Sequence, residues 1–163
     1  MTGPRRLSHA ISEGDGISLI LAVGGAAEAQ EAEARGAEAL LADRDVDEIR
    51  EVSSLPILTL DGSAGDGRLV RPGDEDLELG EGVELVVQVA QEEELEEALE
   101  HFDPELIVLA ARDVEDPLRH VLDLLSDVPA GKLAIADIED VTQAQVDELE
   151  RAGVDAVLVR GSL

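Results

Sequence analysis

The chain has 163 residues, of which 44% are apolar, but Phe102 is its only aromatic residue. This length fits one domain with a core of leucine, valine, isoleucine and alanine. A formal charge of −27 excludes nucleic acid and anionic membranes as default partners. The absence of cysteine excludes disulfides and thiolate metal sites, and no apolar run is long enough to span a bilayer. We therefore expect a cytoplasmic protein whose stability rises with ionic strength.

Apolar runs alternate with acidic amphipathic segments, after an N-terminal segment (1–16) in which residues 5–11 favour a short helix. Such near-continuous apolar runs are typical of parallel strands that are covered on both faces. We predict strands at residues 18–23, 37–42, 55–60, 83–89, 106–110, 132–136 and 155–159, and a less regular one at 68–71.

Helical patterns lie between most of these runs. Asp116 followed by Pro117 is typical of a helix start, and the stretch from Thr142 begins with a capping-box pattern. Further helices are predicted at residues 26–35, 46–52 and 91–102. The glycine-containing stretches 62–67 and 71–82 leave no room for a full helix, so we predict shortened or missing helices around the third and fourth units.

The repeated alternation of strand and helix predicts an α/β fold with right-handed crossovers. About eight units predict a single closed (βα)8 barrel domain over residues 1–163, whose last strand pairs with its first. In this prediction, residues 1–16 cover the seam and residues 17–163 form the barrel. An open doubly wound parallel sheet is the alternative, because barrels usually need about 250 residues.

Five stretches carry a resemblance to a known family: SLILAVGG (18–25), LPILTLDG (55–62), LVVQVAQEEELEEAL (85–99), ELIVLAARDV (105–114) and ERAGVDAVLVRGSL (150–163). In content and order they resemble segments of indole-3-glycerol phosphate synthase, a carboxy-lyase of tryptophan biosynthesis. The resemblance implies a (βα)8 barrel and a reaction that closes an indole ring with loss of carbon dioxide and water. We predict no cofactor.

The resemblance also implies where the catalytic groups should lie, and most of those positions carry other residue types here. The family lysines fall on Gly24 and Leu60, its glutamates on Ala22 and Gln88, and its asparagine on Ala110. The family's phosphate-binding serine and glycine and its eighth-strand glycine are replaced by Ile138, Glu139 and Arg160. We therefore predict a member that is catalytically degenerate for the family reaction.

The candidate site residues lie at the carboxyl ends of the predicted strands. The catalytic candidates are Asp137, Asp61 and Arg112, and the anion- or phosphate-binding candidates are Arg71, Arg112, Arg160 and Ser162. The alternative interpretation is that these arginines only form ion pairs with the surrounding acids. No metal site is predicted, although Asp61, Asp137 and Glu139 offer oxygen ligands.

Two smaller features complete the candidates. The turn at Gly24 and Gly25 resembles a phosphate-binding turn before a helix, although the geometry of a tight turn explains it equally well. His9, His101 and His120 fall on predicted helices, and we interpret them as surface residues.

Three functions remain open. The first is a degenerate family member that binds a small anion. The second is an active enzyme, either of the family reaction or of another sugar-phosphate reaction, that uses substitute residues. The third is a protein-interaction barrel, with a homo-oligomer or another protein as partner, because missing helices would expose an apolar wall.

Overall fold

The computed structural model describes residues 7, 11, 16–59, 65–71, 83–102, 104–111, 114–139 and 141–159. Eight strands in these residues form a closed parallel barrel in chain order. The strands are β1 (Ser18–Ala22), β2 (Ala39–Ala42), β3 (Ile57–Thr59), β4 (Gly67–Val70), β5 (Glu84–Val89), β6 (Leu106–Ala111), β7 (Leu133–Ile138) and β8 (Ala156–Val159). The predicted closed barrel is confirmed, and the open doubly wound sheet is wrong because β8 pairs with β1.

Five helices alternate with the strands in the described part of the chain. They are α1 (Ala26–Ala34), α2 (Val46–Val52), α3 (Glu92–His101), α4 (Pro117–Leu125) and α5 (Gln143–Ala152). The described residues between β3 and β5 include no helix, in agreement with the prediction for the third and fourth units. Residues 60–64 and 72–82, which connect these strands, lie outside the description.

Two helix starts form as their sequences predict. The carboxylate of Asp116 accepts the N–H of Arg119 at 3.1 Å, one residue before Pro117 begins α4. Before α5, the Thr142 hydroxyl accepts the N–H of Gln145 at 3.2 Å, and the Gln145 side chain accepts the N–H of Thr142 at 2.9 Å. These bonds satisfy donors that the first helical turn leaves without intrahelical partners.

The register of the strands defines the geometry of closure. Ser18 is opposite Ala156 across the β1–β8 seam, and its N–H donates to the carbonyl of Asp155 at 3.0 Å. Following paired residues once around the barrel returns to β1 eight residues away from the starting point. Eight strands with this stagger have the geometry of a (βα)8 barrel, in which alternate strands supply inward side chains in layers of four.

Inward-facing side chains fill the barrel in such layers. From the N-terminal end of the strands upward, three complete layers follow from the register: Ala39, Gly67, Leu106 and Ala156; Ile20, Leu58, Val86 and Ile135; and Leu41, Leu69, Val108 and Leu158. The opposite faces of the strands pack against the helices in a second, larger cluster. Leu7 and Ile11 belong to the inner cluster and lie at the N-terminal opening of the barrel.

Candidate functional site

The layer nearest the carboxyl ends of the strands contains the first polar side chains above the apolar interior. The register places Ala22, Gln88 and Asp137 in this layer. Asp137 is fully buried, whereas Gln88 is partly exposed. An inward carboxylate at the end of a barrel strand occupies the position from which (βα)8 enzymes act on their ligands.

Asp137 has a paired residue on each of the two neighbouring strands. It lies opposite Ala110 of β6 and Leu158 of β8. Both neighbours are apolar. Because Asp137 has interaction partners within the structure, its carboxylate is compatible with either a structural or a chemical role.

The other predicted site residues are only partly within the description. Arg71 directly follows β4 at the same end of the barrel and is exposed, and it also has interaction partners within the structure. Asp61, Arg112, Arg160 and Ser162 lie outside the described residues. Of the predicted catalytic and anion-binding residues, the description therefore covers only Asp137 and Arg71, and both lie at the same end of the barrel.

Two backbone amides in described turns at this end of the barrel already donate to carboxylates. The N–H of Gly24, in the predicted phosphate-binding turn, donates to the Glu28 carboxylate of α1 at 2.6 Å. The N–H of Ala90 donates to the Glu94 carboxylate of α3 at 2.8 Å. In both turns a side chain of the following helix folds back onto the turn, so a negative group already occupies the place an anion would take at a helix N-terminus.

His120 has a position that the sequence interpretation missed. Its Nε2 lies 2.6 Å from the carbonyl oxygen of Ala90, and the side chain is only partly exposed, so this surface histidine also makes a specific contact within the fold. The carbonyl can only accept, and Nε2 must therefore carry the proton in this contact. The bond ties α4 to the turn that follows β5, two residues after Gln88. The sequence signal for this contact was the position of His120 in the first turn of a predicted helix, because that helix begins at the carboxyl ends of the strands.

Arg44, which is not one of the candidate arginines, forms an ion pair near the carboxyl end of β2. Arg44 Nε lies 3.2 Å from Asp43 Oδ1, and both side chains are largely exposed. The hydrogen bond to Asp43, followed by the charge of that carboxylate, raises the pKa of Arg44 above its ordinary value. Such an exposed pair contributes little to stability.

The described residues contain no group of three histidine or acidic side chains arranged to hold a metal ion. None of the described helices is both long and apolar enough to cross a membrane. No protein-family model matches the chain.

Proposed function

We propose that this protein is a (βα)8 barrel similar to indole-3-glycerol phosphate synthase that does not catalyse indole formation and that binds a small anion through arginines at the carboxyl ends of its strands. The observation that carries the proposal is the position of lysine. Lys132 is the only lysine in the chain, and it directly precedes β7. Asp137 lies near the other end of the same strand, roughly 16 Å away along the backbone.

The distance matters because the family reaction, as the resemblance implies, needs a lysine general acid at the carboxyl ends of the strands. A lysine side chain at the opposite end of the barrel cannot reach a substrate there. The positions that the resemblance assigns to other catalytic groups carry alanine at 22 and 110 and an amide at 88, and the register places all three on the inward side. None of these side chains exchanges protons near neutral pH.

The anion-binding part of the proposal rests on three arginine side chains. Arg71 follows β4, while Arg112 and Arg160 follow the last residues of β6 and β8 in the sequence. Gly24 and Ala90 direct their amides to carboxylates, so the proposal assigns phosphate to guanidinium groups, which bind it through charge and paired hydrogen bonds.

The first test is an indole-formation assay with the family substrate, a carboxyphenylamino-deoxyribulose phosphate. The chain has no tryptophan or tyrosine, so indole fluorescence would be measured against a nearly dark protein. We expect no rise in fluorescence above the rate without protein. Turnover would contradict the proposal and show that other groups supply the proton transfers.

The second test measures the thermal stability of the protein with increasing inorganic phosphate, against chloride at equal ionic strength. We expect phosphate to raise the melting temperature of the wild type, and Arg71→Gln to reduce this increase. Arg151→Gln is the matched control, because Arg151 lies in the last turn of α5, away from the carboxyl ends of the strands, and pairs with Glu148 at 2.7 Å. Equal phosphate responses in both variants would remove Arg71 from the anion site.

A second candidate function is favoured by Asp137. A fully buried carboxylate on the inward side of β7 is suited to proton transfer on a sugar phosphate. If a screen of sugar phosphates finds turnover, Asp137→Asn should abolish it while the circular dichroism spectrum stays unchanged. An unchanged rate would exclude this role.

The protein-interaction barrel has less support. Ile57, Thr59 and Val70 lie on the outward side of β3 and β4, between which and β5 the described residues include no helix, yet all three are buried. An exposed apolar wall, on which that alternative depended, is therefore not found at these positions.

A further inference from the structure

Small side chains predominate in the lowest complete layer at the N-terminal end of the barrel. This layer consists of Ala39, Gly67, Leu106 and Ala156, and the register places Ser18, Glu84 and Leu133 on the inward face one step nearer the opening. Three of these four positions carry only a methyl group or a hydrogen atom. Because the strands hold their backbones at a fixed radius, small side chains leave space at the centre that the wall cannot close by moving inward.

Leu7 fills this space. Leu7 is fully buried, at 0% relative accessibility, and it belongs to the inner cluster of the barrel. A Cβ atom on Gly67 would lie 2.7 Å from Leu7 Cδ2 and 3.2 Å from Leu58 Cδ1. The glycine therefore permits a close approach that any larger residue would obstruct. Nearby, Ser18 Oγ lies 3.3 Å from the carbonyl oxygen of Ile11, which joins the N-terminal segment to β1.

We propose that the N-terminal end of the barrel is a preformed aliphatic pocket occupied by Leu7, and that it accepts a small apolar ligand when the leucine side chain is removed. The lining belongs to strands that are hydrogen-bonded on both sides, so it relaxes little after truncation of the occupant. A dry apolar cavity of this kind binds small apolar molecules such as benzene. The pocket is separate from the candidate site, which lies at the other end of the barrel.

The residues that fill the pocket also close the barrel at its N-terminal end. Leu7 and Ile11 are buried over the N-terminal opening, while β1 and β8 close the seam through their own hydrogen bonds.

The first experiment compares the full-length wild type with Leu7→Ala by thermal unfolding, with and without benzene. We expect Leu7→Ala to lower the melting temperature by several degrees, and saturating benzene to recover a few of them. The wild type should show no such stabilisation because its pocket is full. An equal effect of benzene on both proteins would overturn the proposal.

The second experiment tests the contact between Leu7 and Gly67 by a double-mutant cycle. Gly67→Ala should lower the melting temperature of the wild type by roughly 5 °C, because the new methyl group collides with Leu7. In the Leu7→Ala background the same change should cost less, since the 2.7 Å contact with Leu7 is then gone and Leu58 Cδ1 at 3.2 Å is the nearest remaining atom. An equal cost in both backgrounds would contradict the proposed occupancy.

Leu95→Ala provides the matched control for the cycle. Leu95 is a leucine of α3 with 1% relative accessibility, but it packs outside the barrel wall. Gly67→Ala should keep its full cost in that background. If Leu7→Ala does not fold, Leu7→Val shortens the same side chain more mildly, and the cost of Gly67→Ala should still be lower beside valine than beside leucine.

Discussion

Replacing Asp66 with alanine is expected to lower the free energy of unfolding by about 3 kcal/mol, because it removes a largely buried carboxylate that joins three elements. Asp66 Oδ2 lies 3.1 Å from Arg50 Nη2 of α2 and accepts the N–H of Ile57 in β3 at 2.8 Å. Its own N–H and carbonyl bond the backbone of Ile57 and Glu84 at 2.7 and 2.8 Å. One residue therefore fixes the start of β4 against both neighbouring strands and ties α2 to the wall.

The cause of this loss can be separated from the effect of removing any paired acid. Asp43→Ala breaks the exposed pair with Arg44 and should change stability by less than about 0.5 kcal/mol. Asp66→Asn keeps an acceptor for Ile57 but removes the charge facing Arg50, so its cost should lie between the two. Chemical denaturation of the three variants measures these differences. A cost for Asp66→Ala as small as that for Asp43→Ala would show that the bonds of Asp66 do not hold the barrel together.

Raising sodium chloride from about 0.05 M to about 1 M is expected to raise the melting temperature by about 10 °C, because added salt screens repulsion within a chain of high net charge. The formal charge is −27, and exposed carboxylates cover much of the helical surface. On α3 alone, Glu96, Glu97 and Glu100 are all exposed within five residues. Like charges four residues apart on a helix destabilise it. Thermal unfolding followed by circular dichroism across the salt series measures the effect.

A variant with fewer charges tests the electrostatic cause. Changing Glu96, Glu97 and Glu100 together to glutamine removes three negative charges from the surface of α3 and leaves the buried face of that helix intact. At low salt the variant should melt at a higher temperature than the wild type. At high salt the two curves should converge, because screening has removed the difference. A constant gap across the series would indicate that helix propensity, and not repulsion, separates the two proteins.

The local elements could be predicted because their signals are local. The hydroxyl of Thr142 and the carboxylate of Asp116 bond amides three residues along the chain, so a short stretch of sequence contains both partners. The apolar runs gave eight strands for the same kind of reason, since a strand buried on both faces needs apolar side chains on both. Even the short β4 could be recognised, although its predicted bounds differ from the observed ones by one residue at each end.

The candidate site could be predicted only in part. The carboxyl end of β7 was identified as the place of Asp137, but its complete burial depends on β6 and β8, which supply its neighbours. His120 was missed because its partner, Ala90, is 30 residues away and the contact is made by a helix lying across another unit. The hydrogen bond from Gly24 to Glu28 joins residues only four apart in the sequence, so it could have been considered. A turn pattern alone does not show, however, which conformation a long acidic side chain will adopt.

The sequence by itself determined the order and type of the elements and the acidic surface, because these depend on residue composition and on bonds between near neighbours. Only the tertiary structure decided the closure, the register and the contents of the barrel. A stagger of eight residues is a sum over eight strand pairs, and no single pair specifies it. The same holds for Leu7, whose place beside Gly67 exists only once all the strands have closed around it.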